Sequence, residues 1–398
     1  MTIDRTSDID SLLERCETGS RLIPFAFPII SLRFTRSWKD GSLFPLEAHR
    51  ITYQNLLNQL ESYSGDINFP EVINSKLPST LRHLELMIFI SYGEDNDEDE
   101  YSPSKILAPL IRLSNDYPHL ESLSLHFEMD VDSIVDYFEH MDNQYLAALN
   151  HPSHPYSIIC RSFLNSTLTS LRSLTLADSV AGEYTFTTHM YSAPRLFFES
   201  ILHFAPSLQR LSLRMCNDAS DFGEHLLFYT ELKHYLEKAT TLKCLVLPEM
   251  LAGEPQELVK YLVQDASIEI EGEIQMQNMV PITRPLQSLS IRCEGHYRPP
   301  VNNIYESLNM VKHLQVTPYD QSDYDFIPHI GSETTLTLTT VVYCDRLCQL
   351  LAENHRITTL YINPRAEGYK YNKEKFQAII DVHPSIKNKD SVFVDAWY

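Results

Sequence analysis

An α/β fold of short parallel strands stacked in sequence order, with helices between them, is what this sequence predicts. Three observations carry the prediction. An apolar rhythm recurs through most of the chain, amphipathic segments stand between its copies, and the last copies are spaced 22 to 25 residues apart. Residues 120–127, LESLSLHF, show the rhythm: Leu120, Leu123 and Leu125 are three and then two apart. The same pattern stands at LRHLEL (81–86), LRSLTL (171–176), LQRLSL (208–213), LKCLVL (242–247) and LQSLSI (286–291). Weaker copies are IISLRF (29–34), VKHLQV (311–316), ETTLTL (333–338) and ITTLYI (357–362).

Each copy reads as a turn leading into a strand. The closing x-L-x-L alternates, so its apolar side chains share one face and the x residues share the other. The first Leu turns inward from the incoming loop. One such strand cannot bury its apolar face alone, whereas a stack of them makes a parallel sheet with a continuous core. Parallel neighbours need crossovers, for which the sequence supplies helical patterns at 48–63, 195–205, 225–239 and 345–354. The central apolar residues of the first copies, from Leu32 to Leu289, are 34 to 52 residues apart, so inserted helices or loops are expected there.

With its LxxLxL segments, the chain resembles leucine-rich-repeat proteins, and the resemblance covers about residues 29–363. It implies an α/β horseshoe, a solenoid of about ten irregular repeats with the parallel sheet inside and helices outside. Residues 1–28 and 364–398 are then read as N- and C-terminal caps. The family pattern places Asn or Cys three residues beyond the last Leu, a position that Cys216 fills after LQRLSL. The irregular spacing is most similar to the repeat region of fungal F-box/leucine-rich-repeat proteins. The segment SLLERCETGSRLIPFAFPII (11–30) does not match the F-box that docks a ubiquitin-ligase adaptor, so adaptor binding is not carried over.

The resemblance implies that the x positions line a concave binding face. Among thirty such positions are Arg33, His83, Glu85, Ser124, His126, Arg210, Ser212, Arg214, Ser290, Arg292, His313 and Tyr361. The row as read holds four Arg, three His and one acid, in a chain with 53 acids and 32 Lys plus Arg. Its sign is therefore reversed relative to the molecule. Arginine forks suit a carboxylate or phosphate, which points to a protein or peptide partner with an acidic or polar surface.

The whole-chain charge of −21 opposes broad contact with nucleic acid or anionic lipid. Nucleic acid is expected at most as a localised contact on the concave face. The acids concentrate at EDNDEDE (94–100), read as a solvated loop, and at 128–142, read as a helix with acids facing water. No run approaches the ~18 apolar residues of a membrane span, and the acidic start does not read as a secretory signal. These features predict a soluble protein of the cytoplasm or nucleus, with its seven scattered cysteines reduced.

Enzyme motifs are scarce. Glycines number 11, and GxGxxG, GxxxxGK, GxSxG and HExxH are all missing. His151, His154 and Cys160 lack a fourth ligand for zinc, and Cys344 with Cys348 reads as two thiols on one helical face. No metal or cofactor is expected. His126, Glu85 and Ser124 do supply the residue types of a base, an orienting acid and a hydroxyl. The leading expectation is a macromolecule-recognition scaffold. The alternatives are an enzyme using the Arg/His/Ser row, of the kind represented by arginine-containing cyclodipeptide synthases, and a substrate receptor lacking its adaptor-binding segment.

Overall fold

The computed structural model describes residues 2–3, 31–34, 61–66, 77–90, 107, 110, 112–129, 155–178, 190, 193–214, 225–247, 256–293, 302–319, 321–341, 344–364 and 369–388. The acidic segment 94–100, most of 128–142, most of the helix expected at 48–63, His151, His154 and Cys216 lie outside them. Contacts divide the chain into two compact units, Met1–Leu242 and Lys243–Tyr398, where the sequence suggested one continuous array.

Among the described residues the first unit holds seven parallel strands in sequence order: β1 (Thr2–Ile3), β2 (Ser31–Phe34), β3 (Ser62–Asp66), β4 (His83–Ile90), β5 (Ser122–Met129), β6 (Ser173–Asp178) and β7 (Arg210–Arg214). Their registers align Leu32, Tyr63, Leu84, Leu123, Leu174 and Leu211 in one row across the sheet. From Tyr63 onward every member of that row is at most 3% exposed. Burying such a side chain stabilises the fold by about 2 kcal/mol, so the row is the spine of this core.

Five strands begin with the same turn. The amide of the first Leu donates to the carbonyl three residues earlier: Leu81 to Pro78, Leu120 to Tyr117, Leu171 to Leu168, Leu208 to Ala205 and Leu242 to Ala239, at 3.0–3.2 Å. At three of these turns the carbonyl of the following residue accepts two amides from the next repeat, as the Glu61 carbonyl does just before β3. Glu61 receives Arg82 and His83, Arg82 receives Glu121 and Ser122, Glu121 receives Arg172 and Ser173, and Arg172 receives Gln209 and Arg210. This turn is the physical cause of the three-residue step in L-x-x-L. Ser170 and Thr241, each just before a first Leu, reinforce it by donating to two carbonyls of the preceding turn, Pro118 with Leu120 and Pro206 with Leu208.

The crossovers include α1 (Leu113–Asp116), α2 (Pro155–Leu164), α3 (Pro194–Phe204) and α4 (His225–Lys238). Helix α3 begins with Pro194, whose fixed φ suits a first helical turn. It buries Phe197, Phe198, Ile201 and Phe204, spaced for one helical face. Phe204 stacks on Phe163 of α2 at 4.3 Å, and Phe198 meets Phe228 and Tyr235 of α4 at 5.5 and 5.3 Å. Consecutive crossovers thus pack on one another as well as on the sheet.

The second unit holds β8 (Cys244–Leu247), β9 (Glu269–Gln275), β10 (Leu286–Arg292), β11 (Val311–Thr317), β12 (Thr335–Val341) and β13 (Thr359–Pro364), again parallel and in order. Its helices are α5 (Gln256–Lys260), which runs into a π turn at Tyr261–Asp265, then α6 (Asn302–Ser307), α7 (Asp345–Glu353) and α8 (Tyr369–Val382). Cys344 stands just outside α7 as its N-cap, its sulfur accepting from the Leu347 amide. It is therefore not a helical partner of Cys348 as the spacing suggested.

All ten expected segments are strands. Three more were missed: β1, β3 and β9. In β3 the positions in register with Leu84 and Leu86 are Tyr63 and Gly65, so the leucine search passes over it, and the 52-residue step between Leu32 and Leu84 divides at Tyr63. In β9 they are Ile270, Gly272 and Ile274, an alternation without the L-x-x-L lead. The segment read as a C-terminal cap supplies α8 and then starts another turn of the same kind. Ser385 donates to the His355 carbonyl, Ile386 is buried, and the Lys387 amide donates to Thr358. Where a further strand would pair with Leu360, the side-chain amide of Asn388 does so, accepting from its N–H and donating to its C=O.

Gly272 decides how closely β8 and β9 approach. A Cβ there would lie 1.8 Å from the Leu247 carbonyl oxygen, a backbone atom that cannot rotate away. Gly272→Ala is expected to destabilise the protein by about 2 kcal/mol, read as a lowered urea midpoint.

Candidate functional site

In the first unit the x positions fall into three rows across the strands. Ser62, His83, Ser122, Ser173 and Arg210 form one; Ser64, Glu85, Ser124, Thr175 and Ser212 the next; Asp66, Met87, His126, Ala177 and Arg214 the third. Parallel registration is what assembles them, since residues paired across a parallel ladder share a face. Arg33 continues the middle row on β2, opposite Ser64; its side chain lies outside the described residues. The polar grid is real, but it is not uniformly open. Ser212 is 2% exposed and its hydroxyl has no hydrogen-bond partner, while Ala177 is also buried. The expectation that Ser212 lies open to a partner is thus corrected.

His126 is brought against both of its expected companions. Its Nε2 lies 2.9 Å from Ser124 Oγ and 3.3 Å from Glu85 Oε1. A nucleophile–base–acid relay needs the hydroxyl on one ring nitrogen and the acid on the other. Here both oxygens address Nε2. A protonated Nε2 donates toward them; a bare one accepts the Ser124 hydroxyl but faces the Glu85 carboxylate unfavourably. The geometry is that of a polar brace between β4 and β5, and it does not set Ser124 up for attack on a substrate.

At the other end of the rows, Arg210 is half-buried and Arg214 exposed on β7. The Arg214 guanidinium makes no hydrogen bond or ion pair with a described residue. Arg292 is on β10 of the second unit, so the structure does not support one cluster of all three arginines. Arg292 is also committed. Its Nε lies 2.9 Å from Glu273 Oε2, and the other oxygen of Glu273 accepts from Thr317, whose hydroxyl is 2.7 Å from that of Thr339.

Glu273 comes from β9, the strand the leucine rhythm did not reveal. On the same face of β9 are Glu269, whose carboxylate accepts from the Gln287 amide, and Glu271, which accepts from the Cys244 thiol. With Glu85, these three acids offset the four arginines of the predicted row, and the basic excess disappears from the second unit. Ser290 pairs in register with Glu273 and Gln315, His313 is exposed beside Ser288 and Thr335, and Tyr361 is exposed beside Thr337. The signal that would have exposed the error is the period-2 alternation of SIEIEGEIQ (267–275).

Other reactive residue types are held in structural roles. Burial pushes the Cys160 thiol up to about 12, against partial relief from hydrogen bonds with Tyr156 and Ser200. At neutral pH it is protonated and enclosed. Cys160, Cys244, Cys293, Cys344 and Cys348 are not joined in disulfides. Among the described residues, no three His, Cys, Asp or Glu side chains form a metal-holding group, and no helix is long and apolar enough to cross a membrane.

Two arginines of the predicted row should therefore behave differently. Arg292→Ala leaves Glu273, whose side chain is 14% exposed, without its cation, and is expected to cost about 1–2 kcal/mol. Arg214→Ala should change stability by less than about 0.5 kcal/mol. Ser212→Ala removes a buried hydroxyl that has no partner, so stability is expected to hold or to rise by about 1 kcal/mol. Urea denaturation of the three variants checks all three outcomes. Comparison of the chain with protein-family models and with curated proteins returns no match for either.

Proposed function

We propose that this chain is a leucine-rich-repeat solenoid that recognises another macromolecule on the polar face of its sheet, and that β6 and β7 of the first unit form the contact. Support for the repeat reading comes from the sequence order of the strands, the shared turn before each of five of them and the stacked crossovers. The observation that carries the recognition reading is the exposed Arg214 on β7, the strand that also ends two rows rich in hydroxyls. A strand face lined with Ser122, Ser124, Ser173 and Thr175 offers many short hydrogen-bonding groups that lose little side-chain entropy when a partner settles on them.

Charge then selects the partner. The cationic side chains are on β7, whereas Glu85 on β4 is engaged with His126. The face thus suits a protein surface that is acidic where it meets β6–β7 and polar but uncharged further along. Such a complementary patch raises the association rate and discriminates against basic partners.

Affinity capture with the wild-type chain and with Arg210→Ala/Arg214→Ala tests this reading. The double variant is expected to lose the proteins retained by the wild type while its melting temperature stays within a few degrees. Retention of the same proteins by both would overturn the assignment of the contact to β7.

A further inference from the structure

We draw no further inference here: the strongest candidate, the surface patch of exposed His313, Gln315 and Tyr361 on the polar face of β11 and β13 in the second unit, carries nothing, because nothing in the structure shows what covers it.

Discussion

Each strand of this protein has one apolar face, and that face is stable only when a neighbouring strand extends it. The row from Leu32 through Tyr63, Leu84, Leu123 and Leu174 to Leu211 is that extension. It forms because successive strands enter through the same turn, five of them by the first-leucine hydrogen bond, and because the carbonyls of Glu61, Arg82, Glu121 and Arg172 each take two amides of the next repeat. The turn fixes where a strand begins, and hence its register. The register in turn fixes which residues are core and which are polar face. A slip of one residue would exchange the two sets, so the hydrogen bonds of the turn and the burial of the leucines specify the same alignment.

The helices answer a second requirement. Parallel neighbours cannot be joined by tight hairpins, and a crossover that stood alone would expose its own apolar side. Here the crossovers share one aromatic layer, from Phe163 through Phe204 to Phe198, Phe228 and Tyr235. Beside the last described strand a side chain takes the place of a backbone pair. Ser385 and Ile386 reproduce the start of a turn, and the Asn388 amide then satisfies Leu360 in place of a backbone. Position 389, where each leucine-bearing copy places its second apolar residue, is Lys389.

The polar face is governed by electrostatics that no single strand reveals. Arg292 looked available from its position in LQSLSIR, but the neighbouring strand brings Glu273 to it. His126 and Ser124 looked like the start of a catalytic relay, but both their bond and the bond to Glu85 use one nitrogen. Arg214, by contrast, stands exposed on β7 with no described partner. Two side chains of one type thus stand differently: one secures the sheet, and the other is exposed.

What the sequence by itself determined was local. Period-2 leucines, the three-residue lead and the helical stripes at 195–205, 225–239 and 345–354 placed ten strands and three crossovers, because these features act over one turn or one strand. What only the tertiary structure decided was identity across the ladder. Tyr63, Gly65 and Gly272 hold register positions that leucine holds elsewhere; Tyr63 is fully buried there, and at Gly272 the Leu247 carbonyl leaves no room for a side chain. The pairing of Glu273 with Arg292 and the enclosure of Ser212 were settled the same way. Residues 19 to 37 apart in the chain become adjacent only after the strands align, and charge and burial are properties of that neighbourhood, whereas periodicity belongs to the segment alone.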